Sequence, residues 1–101
     1  MKLSDQLIVS NPDRESEWRQ ILERHLKEPG LYVLSIPKDR DYPAEILSSK
    51  EYYKKESSCE VIGIADSSGA AVQLLVSTIQ RVLSEDPQLH QLKRKLREIY
   101  L

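Results

Sequence analysis

The chain is poor in cysteine, with Cys59 alone in 101 residues. No disulfide framework and no cysteine-rich zinc site can form within one copy. A lone thiol favours a reducing, cytoplasmic setting. Net charge is nearly absent as well: 15 Lys and Arg against 16 Asp and Glu leave −1 at pH 7. Such a balance exerts no global pull on nucleic acid or on a membrane surface. No apolar run approaches the length of a membrane span. The opening MKLSDQLIVSNP has no signal-peptide core, because Leu7-Ile8-Val9 is too short and runs into a polar turn. Repeats, linkers and low-complexity tracts are likewise missing. What is present is 40% hydrophobic and 31% charged. That composition and length predict one globular domain over residues 1–101 with a core that needs no staple.

The rest of the chain is arranged around Cys59 to Leu83, CEVIGIADSSGAAVQLLVSTIQRVL. Alternation sends Cys59, Val61, Gly63 and Ala65 to one face of a strand and Glu60, Ile62 and Ile64 to the other. From Val61 onward both faces are apolar or small, which suits a strand covered on both sides. Gly63, without a Cβ, allows close approach to the backbone, expected from a helix. Asp66-Ser67-Ser68-Gly69 is a turn in which any of the first three side chains can cap the next helix. The period then becomes 3.6, and Val72, Leu75, Val76, Ile79, Val82 and Leu83 make one predicted buried stripe. The helix should end near Glu85-Asp86-Pro87.

Elsewhere, Gln6 to Ser10 is a short strand candidate. A helix is expected over Arg14 to Lys27, with Trp18, Ile21, Leu22, His25 and Leu26 on its apolar side and Pro29-Gly30 as its stop. Leu31 to Ile36 is a second clear strand. Residues 38–58 are ambiguous: a short helix from Tyr42-Pro43 would half-bury Ala44, Ile46 and Leu47. This connection is long enough for a crossover. After Pro87 a last amphipathic helix is expected over residues 87–101, with Asp86 as cap and Pro87 as its first residue.

Two pieces taken together carry a likeness: Glu51-Tyr52-Tyr53-Lys54-Lys55, and Val61-Ile62-Gly63-Ile64-Ala65 followed by Ala70-Ala71 and Leu74-Leu75-Val76. The pattern resembles a group of short bacterial proteins of unknown function, about a hundred residues long. The likeness covers about a third of the chain and implies a small bacterial intracellular domain. It implies no activity, cofactor or catalytic residue.

The candidate ligand site is Asp66, Ser67, Ser68, Gly69 and Ala70. Ligands gather beyond the carboxyl ends of strands in open α/β sheets, and helix N–H groups at Gly69 and Ala70 suit an anion. Against this, Asp66 brings negative charge, and the spacing matches neither a phosphate loop nor a dinucleotide fingerprint. An ordinary helix cap is the simpler reading. A serine nucleophile would need His25 or His90 as its base and lacks the flanking glycines of a nucleophile elbow. Two isolated histidines make no metal site. Cys59 reads as a small core residue. Lys50, Tyr52, Tyr53, Lys54 and Lys55 interleave rings and cations as a nucleic-acid surface would, but Glu51 and Glu56 dilute them. Finally, Leu89, Leu92, Leu96 and Ile99 form a narrow seam on the last helix, beside a basic side of Lys93, Arg94, Lys95 and Arg97. The seam fits docking on the parent domain, with the cations complementing the helix dipole, and fits a meeting with another chain equally well.

These readings predict an α/β fold: three short strands, mainly parallel, covered by helices, with an added C-terminal helix. The alternative is a split α+β arrangement in which the second and third strands pair antiparallel. No catalytic set, metal or cofactor is expected. The expected function is a non-enzymatic interaction or regulatory module that self-associates as a homodimer, with Leu89, Leu92, Leu96 and Ile99 as the interface. Binding of an anionic or phosphorylated ligand at Asp66–Ala70 is the second reading and nucleic-acid binding the third.

Overall fold

A computed structural model describes residue 3, residues 6–85, residue 87 and residues 91–101. Its sheet has four strands in the order β1 (Ile8–Val9), β4 (Cys59–Ala65), β2 (Tyr32–Pro37) and β3 (Glu45–Ser48). Only β1 and β4 run parallel; β2 is antiparallel to both β4 and β3. The α/β class therefore holds, while the expectation of three mainly parallel strands does not. The second and third expected strands, β2 and β4, pair as the alternative had them.

The cause lies in residues 38–58, which make no crossover. The chain leaves β2 and turns straight back as β3, pairing Leu34 with Ile46 and Val33 with Leu47. It then forms α2 (Ser49–Lys55) and a 3-10 turn at Glu56–Ser58. That turn returns to the end at which β2 finished: Lys38 N–H donates to Ser58 O at 2.8 Å, and Pro37 sits opposite Cys59. A strand that starts where its neighbour ends must run against it. The helix expected from Tyr42-Pro43 is thus replaced by a strand, because Ile46 and Leu47 each find an apolar face. Ser48 then starts α2 with a capping box: its Oγ accepts from Glu51 N–H, and Glu51 Oε1 accepts from Ser48 N–H.

A bulge corrects the expected alternation in β4. Leu34 pairs with Gly63 and Ser35 with Val61, so Ile62 is the extra residue. Beyond it the faces exchange. Ile64 joins Val61, Cys59 and Val33 in one apolar cluster, while Ile62 joins Leu34 and Ile36 in the other. Gly63 now faces neighbouring strands rather than a helix. A Cβ there would lie 3.3 Å from both Ile8 Cγ1 and Leu34 Cβ.

The two faces are covered by different helices. On the first, α1 (Glu15–Glu23) and α2 set Trp18, Ile21, Leu22 and Tyr52 against Val33, Leu47, Val61 and Ile64. On the second, α3 (Ser68–Glu85) and α4 (Leu92–Tyr100) set Val82, Leu96 and Tyr100 against Leu34, Ile36 and Ile62. Burial of these side chains drives the assembly, at about 1.5–3 kcal/mol for each large one fully withdrawn from water.

Three helix boundaries or faces depart from expectation. First, α1 stops at Glu23, short of Lys27, because His25 takes the left-handed conformation with φ 53°. Leu26 N–H then donates to Ile21 O at 2.9 Å and His25 N–H to Leu22 O at 3.3 Å, the two bonds of a Schellman stop. His25 and Leu26 consequently leave the apolar side, and both are exposed. Second, α3 is rotated from its expected setting. It buries Ala71, Thr78 and Val82 with Leu74 and Leu75 half-buried, while Val72, Val76 and Leu83 stay exposed. Small residues at 71 and 78 let α3 sit close to the sheet. Third, α4 begins at Leu92, and Pro87 lies in a turn before it. The expected Asp86 cap, Leu89 and His90 lie outside the described residues. Among the described residues, no helix is long and apolar enough to cross a membrane.

Candidate functional site

The Asp66–Ala70 turn is built from within. Ser67 Oγ accepts from Ala70 N–H at 3.0 Å, and Ser67 O accepts from Ala71 N–H at 3.0 Å. Ser67 is therefore the cap of α3, and it occupies a donor that an anion would need. Asp66 is tied to the end of β1: its N–H donates to Ser10 Oγ at 3.3 Å, and Ser10 Oγ donates to Asp66 Oδ1 at 3.4 Å. Ser10 N–H in turn donates to Ile64 O. Asp66, Ser67, Ser68 and Gly69 are exposed and Ala70 is half-buried. The geometry closes the parallel pair and starts a helix. The nearby Arg14 guanidinium is taken by Glu17, at 2.7 Å.

The described seam residues of the last helix, Leu92, Leu96 and Ile99, pack on their own chain. Leu96 is completely buried and Leu92 and Ile99 are half-buried, packed with Val82, Leu74, Leu75 and the second face of the sheet. A flank of α3 does the covering. Arg81 lies over the Tyr100 ring at 5.5 Å, and Leu74 and Thr78 turn inward. The cations are also engaged: Lys93 Nζ donates to Arg40 O at 2.7 Å, Arg97 pairs with Glu60 at 2.7 Å, and Arg94 pairs with Glu98 at 3.1 Å. Leu96 is thus a core residue and offers no surface to a second chain.

Neither ring of the Tyr-Lys segment stands fully in solvent, Tyr53 being half-buried. Tyr52 is buried, and burial pushes its hydroxyl pKa upward. Tyr53 OH reaches Leu26 O at 2.6 Å and Ile21 O at 3.2 Å, the latter being the carbonyl that also accepts from Leu26 N–H at the end of α1. Its ring packs against His25 with centroids 4.7 Å apart. His25 Nε2 is 2.9 Å from Glu56 Oε2, and this bond holds the Glu56 carboxyl below its ordinary range. His25 is therefore a helix-end bridge. Cys59 is buried, and burial raises its thiol pKa, the opposite of what a nucleophile needs. Among the described residues no group of His, Cys, Asp or Glu is placed to hold a metal.

Two features were not singled out as sites by the sequence. One is the ridge Val72, Val76, Ile79 and Leu83 on α3. Val72 and Val76 are 49% and 47% exposed, Leu83 is 37% exposed, and Ile79 is half-buried. The ridge lies on the flank turned away from Arg81 and α4. A signal for it existed: apolar residues from Leu74 round to Val76 span about 200° of the helix surface at 3.6 residues per turn, too broad for one sheet contact. The other is a groove of ≈ 490 Å3 between the α1–β2 connection and the start of α2. Its residues are scattered from His25 to Tyr53, and no local pattern marks it.

No family model matches this chain, and neither a curated protein nor a solved structure shows significant similarity to it.

Proposed function

We propose that this chain is a small non-enzymatic interaction module that self-associates through the α3 ridge of Val72, Val76, Ile79 and Leu83. The observation that carries this reading is the exposure of the ridge on a helix whose other apolar side is already buried. Its spacings are four, three and four, which is the a/d repeat of a helix seam. The surroundings suit a second copy of the same surface. No charged residue occurs from Ser67 to Gln80, and Gln73 and Gln80 flank the ridge, so a two-fold contact of like on like buries no like charges. A cytoplasmic setting belongs to the same reading, supported by the single, buried Cys59.

Four partly exposed side chains cover much less than the roughly 800 Å2 per partner of a stable interface. The expected dimer is therefore weak, with a Kd on the order of 10–100 μM, near −6 kcal/mol. Sedimentation velocity over micromolar to millimolar protein should show a monomer–dimer equilibrium. Val76→Glu should abolish it without lowering thermal stability, since Val76 is a surface residue. A wild-type chain that stays monomeric throughout, or a Val76→Glu variant that dimerises as before, would refute the proposal.

A further inference from the structure

The groove on the first face of the sheet has features of a ligand site that are independent of the α3 ridge, which serves the second. Its volume of ≈ 490 Å3 falls within the roughly 300–1,000 Å3 of small-molecule pockets. One wall is the connection after α1, carrying Lys27, Glu28 and Pro29; the other is the start of α2, carrying Lys50 and Tyr53, with Leu31 at the base.

The walls are tied together by hydrogen bonds to main-chain groups of Glu28, Leu31 and Ser49. Ser49 N–H donates to Leu31 O at 2.9 Å, Ser49 Oγ to Glu28 O at 3.3 Å, and Leu31 N–H to Glu28 O at 3.2 Å. Tyr53 OH holds the end of α1. At Gly30 the backbone adopts φ 87°, which other residues rarely reach. The groove is thus formed without a ligand, and binding there requires little ordering.

The side chains left over have a definite chemistry. Lys27 and Lys50 are exposed, and neither has a hydrogen-bond or ion-pair partner among the described residues. Glu28, between them in the lining, supplies one opposing charge, which leaves an excess of one positive charge. His25 is held by Glu56 and stacked on Tyr53 at 4.7 Å, so these two rings and Pro29 present flat, apolar walls. A single negative charge with a planar apolar body complements that set: the anion meets the two ammonium groups, and the body is withdrawn from water between the rings and Leu31.

We propose that the groove between the α1–β2 connection and α2 binds a small organic monoanion with a flat apolar body, as in an aromatic carboxylate, with Lys27 and Lys50 as its charge partners. The test is a 1H–15N NMR titration of the full chain with 1-naphthoate, with 1-naphthalenemethanol as the neutral counterpart and with inorganic phosphate as the bodiless anion. Naphthoate should shift the amides of Gly30, Leu31, Ser49 and Tyr53, bind more tightly than phosphate, which lacks the apolar body, and bind at least about fivefold more tightly than the alcohol, the yield of two exposed charge contacts. Lys27→Ala with Lys50→Ala should remove that advantage, and Lys27→Arg with Lys50→Arg should keep it. Both pairs change exposed side chains, and the amide spectrum itself reports that the fold is kept. Val76→Glu, which blunts the α3 ridge, should leave the titration unchanged. The proposal is overturned by absence of shifts at millimolar naphthoate, by equal binding of the alcohol or of phosphate, by full retention in the double alanine variant, or by shifts centred on Val72, Val76 and Leu83.

Discussion

Replacing Leu96 by alanine separates a helix docked on its own domain from one waiting for a second chain. Leu96 has no exposed surface and packs in the cluster of Leu34, Ile36, Ile62, Val82 and Tyr100. Three of those neighbours are sheet residues and cannot move inward to fill the gap. The loss should therefore lie within the about 2–5 kcal/mol seen for buried leucine truncation, near about 3 kcal/mol. A domain of this size has a total stability of roughly 5–15 kcal/mol, so the variant loses a large share of it. Each kcal/mol lowers Tm by about 4–8 °C, giving a drop of roughly 12–24 °C. Urea unfolding followed by Trp18, which is 2% exposed, measures the change directly. The decisive comparison is between dilute and concentrated protein. A seam closed within one chain gives the same loss at both. A loss below about 0.5 kcal/mol, the range of surface substitutions, or one that vanishes on dilution, would refute the docking of α4 described above.

Three further outcomes are expected. Ser67→Ala should lower stability by about 1 kcal/mol through the lost cap without altering phosphate binding; denaturation and calorimetric titration read the two effects separately. Gly63→Ala should cost about 1–3 kcal/mol, because the new methyl group meets Ile8 and Leu34 at 3.3 Å; a neutral result in urea unfolding would contradict the close strand approach. Glu56 and Glu51 have carboxyls held below the ordinary 4.5, by the His25 bond and by the Ser48 backbone N–H respectively. A carboxyl with a lowered folded-state pKa stabilises the fold above its unfolded value, and that contribution fades as pH falls through the folded value. Stability should therefore decline below about pH 4.5, and Glu56→Gln should flatten the decline; an unchanged slope would count against the His25 bridge.

The sequence marked the elements whose local chemistry and global role agree. Val61 to Ala65 reads as a strand buried on both sides and is one, and the helix that follows ends where Pro87 requires. The failures share a cause in long-range packing. Ile46 and Leu47 could half-bury a helix or fill two faces of a strand, and only the open edge of β2 decides between these. The bulge at Ile62 leaves no local trace, yet it reverses the faces of every later residue in β4. For α3, the broad apolar arc was legible, but which part met the sheet depended on where α4 settled. His25 at a left-handed helix stop was hidden because glycine is the usual signal. The capping box Ser48-x-x-Glu51 was readable and would have fixed the start of α2. In the candidate turn, a cap from Asp66, Ser67 or Ser68 followed from residue type, and the bond from Ala70 N–H picks out Ser67. The groove did not, since Lys27 and Lys50 come to line one groove only after β3 folds back.

The position of β4 has a consequence for synthesis. It is the last of the four described strands to be made, and it lies between two strands completed earlier, β1 and β2. A nascent chain that ends before Cys59 can form only the β2–β3 hairpin, and a lone hairpin is marginal in water. Ile8 and Val9 have no partner until Gly63 and Ile64 emerge. At about 5–20 residues per second, β1 waits several seconds on the ribosome with its apolar side chains uncovered. Translation pauses placed between Leu47 and Cys59 should therefore promote aggregation, and pauses after Ala65 should relieve it.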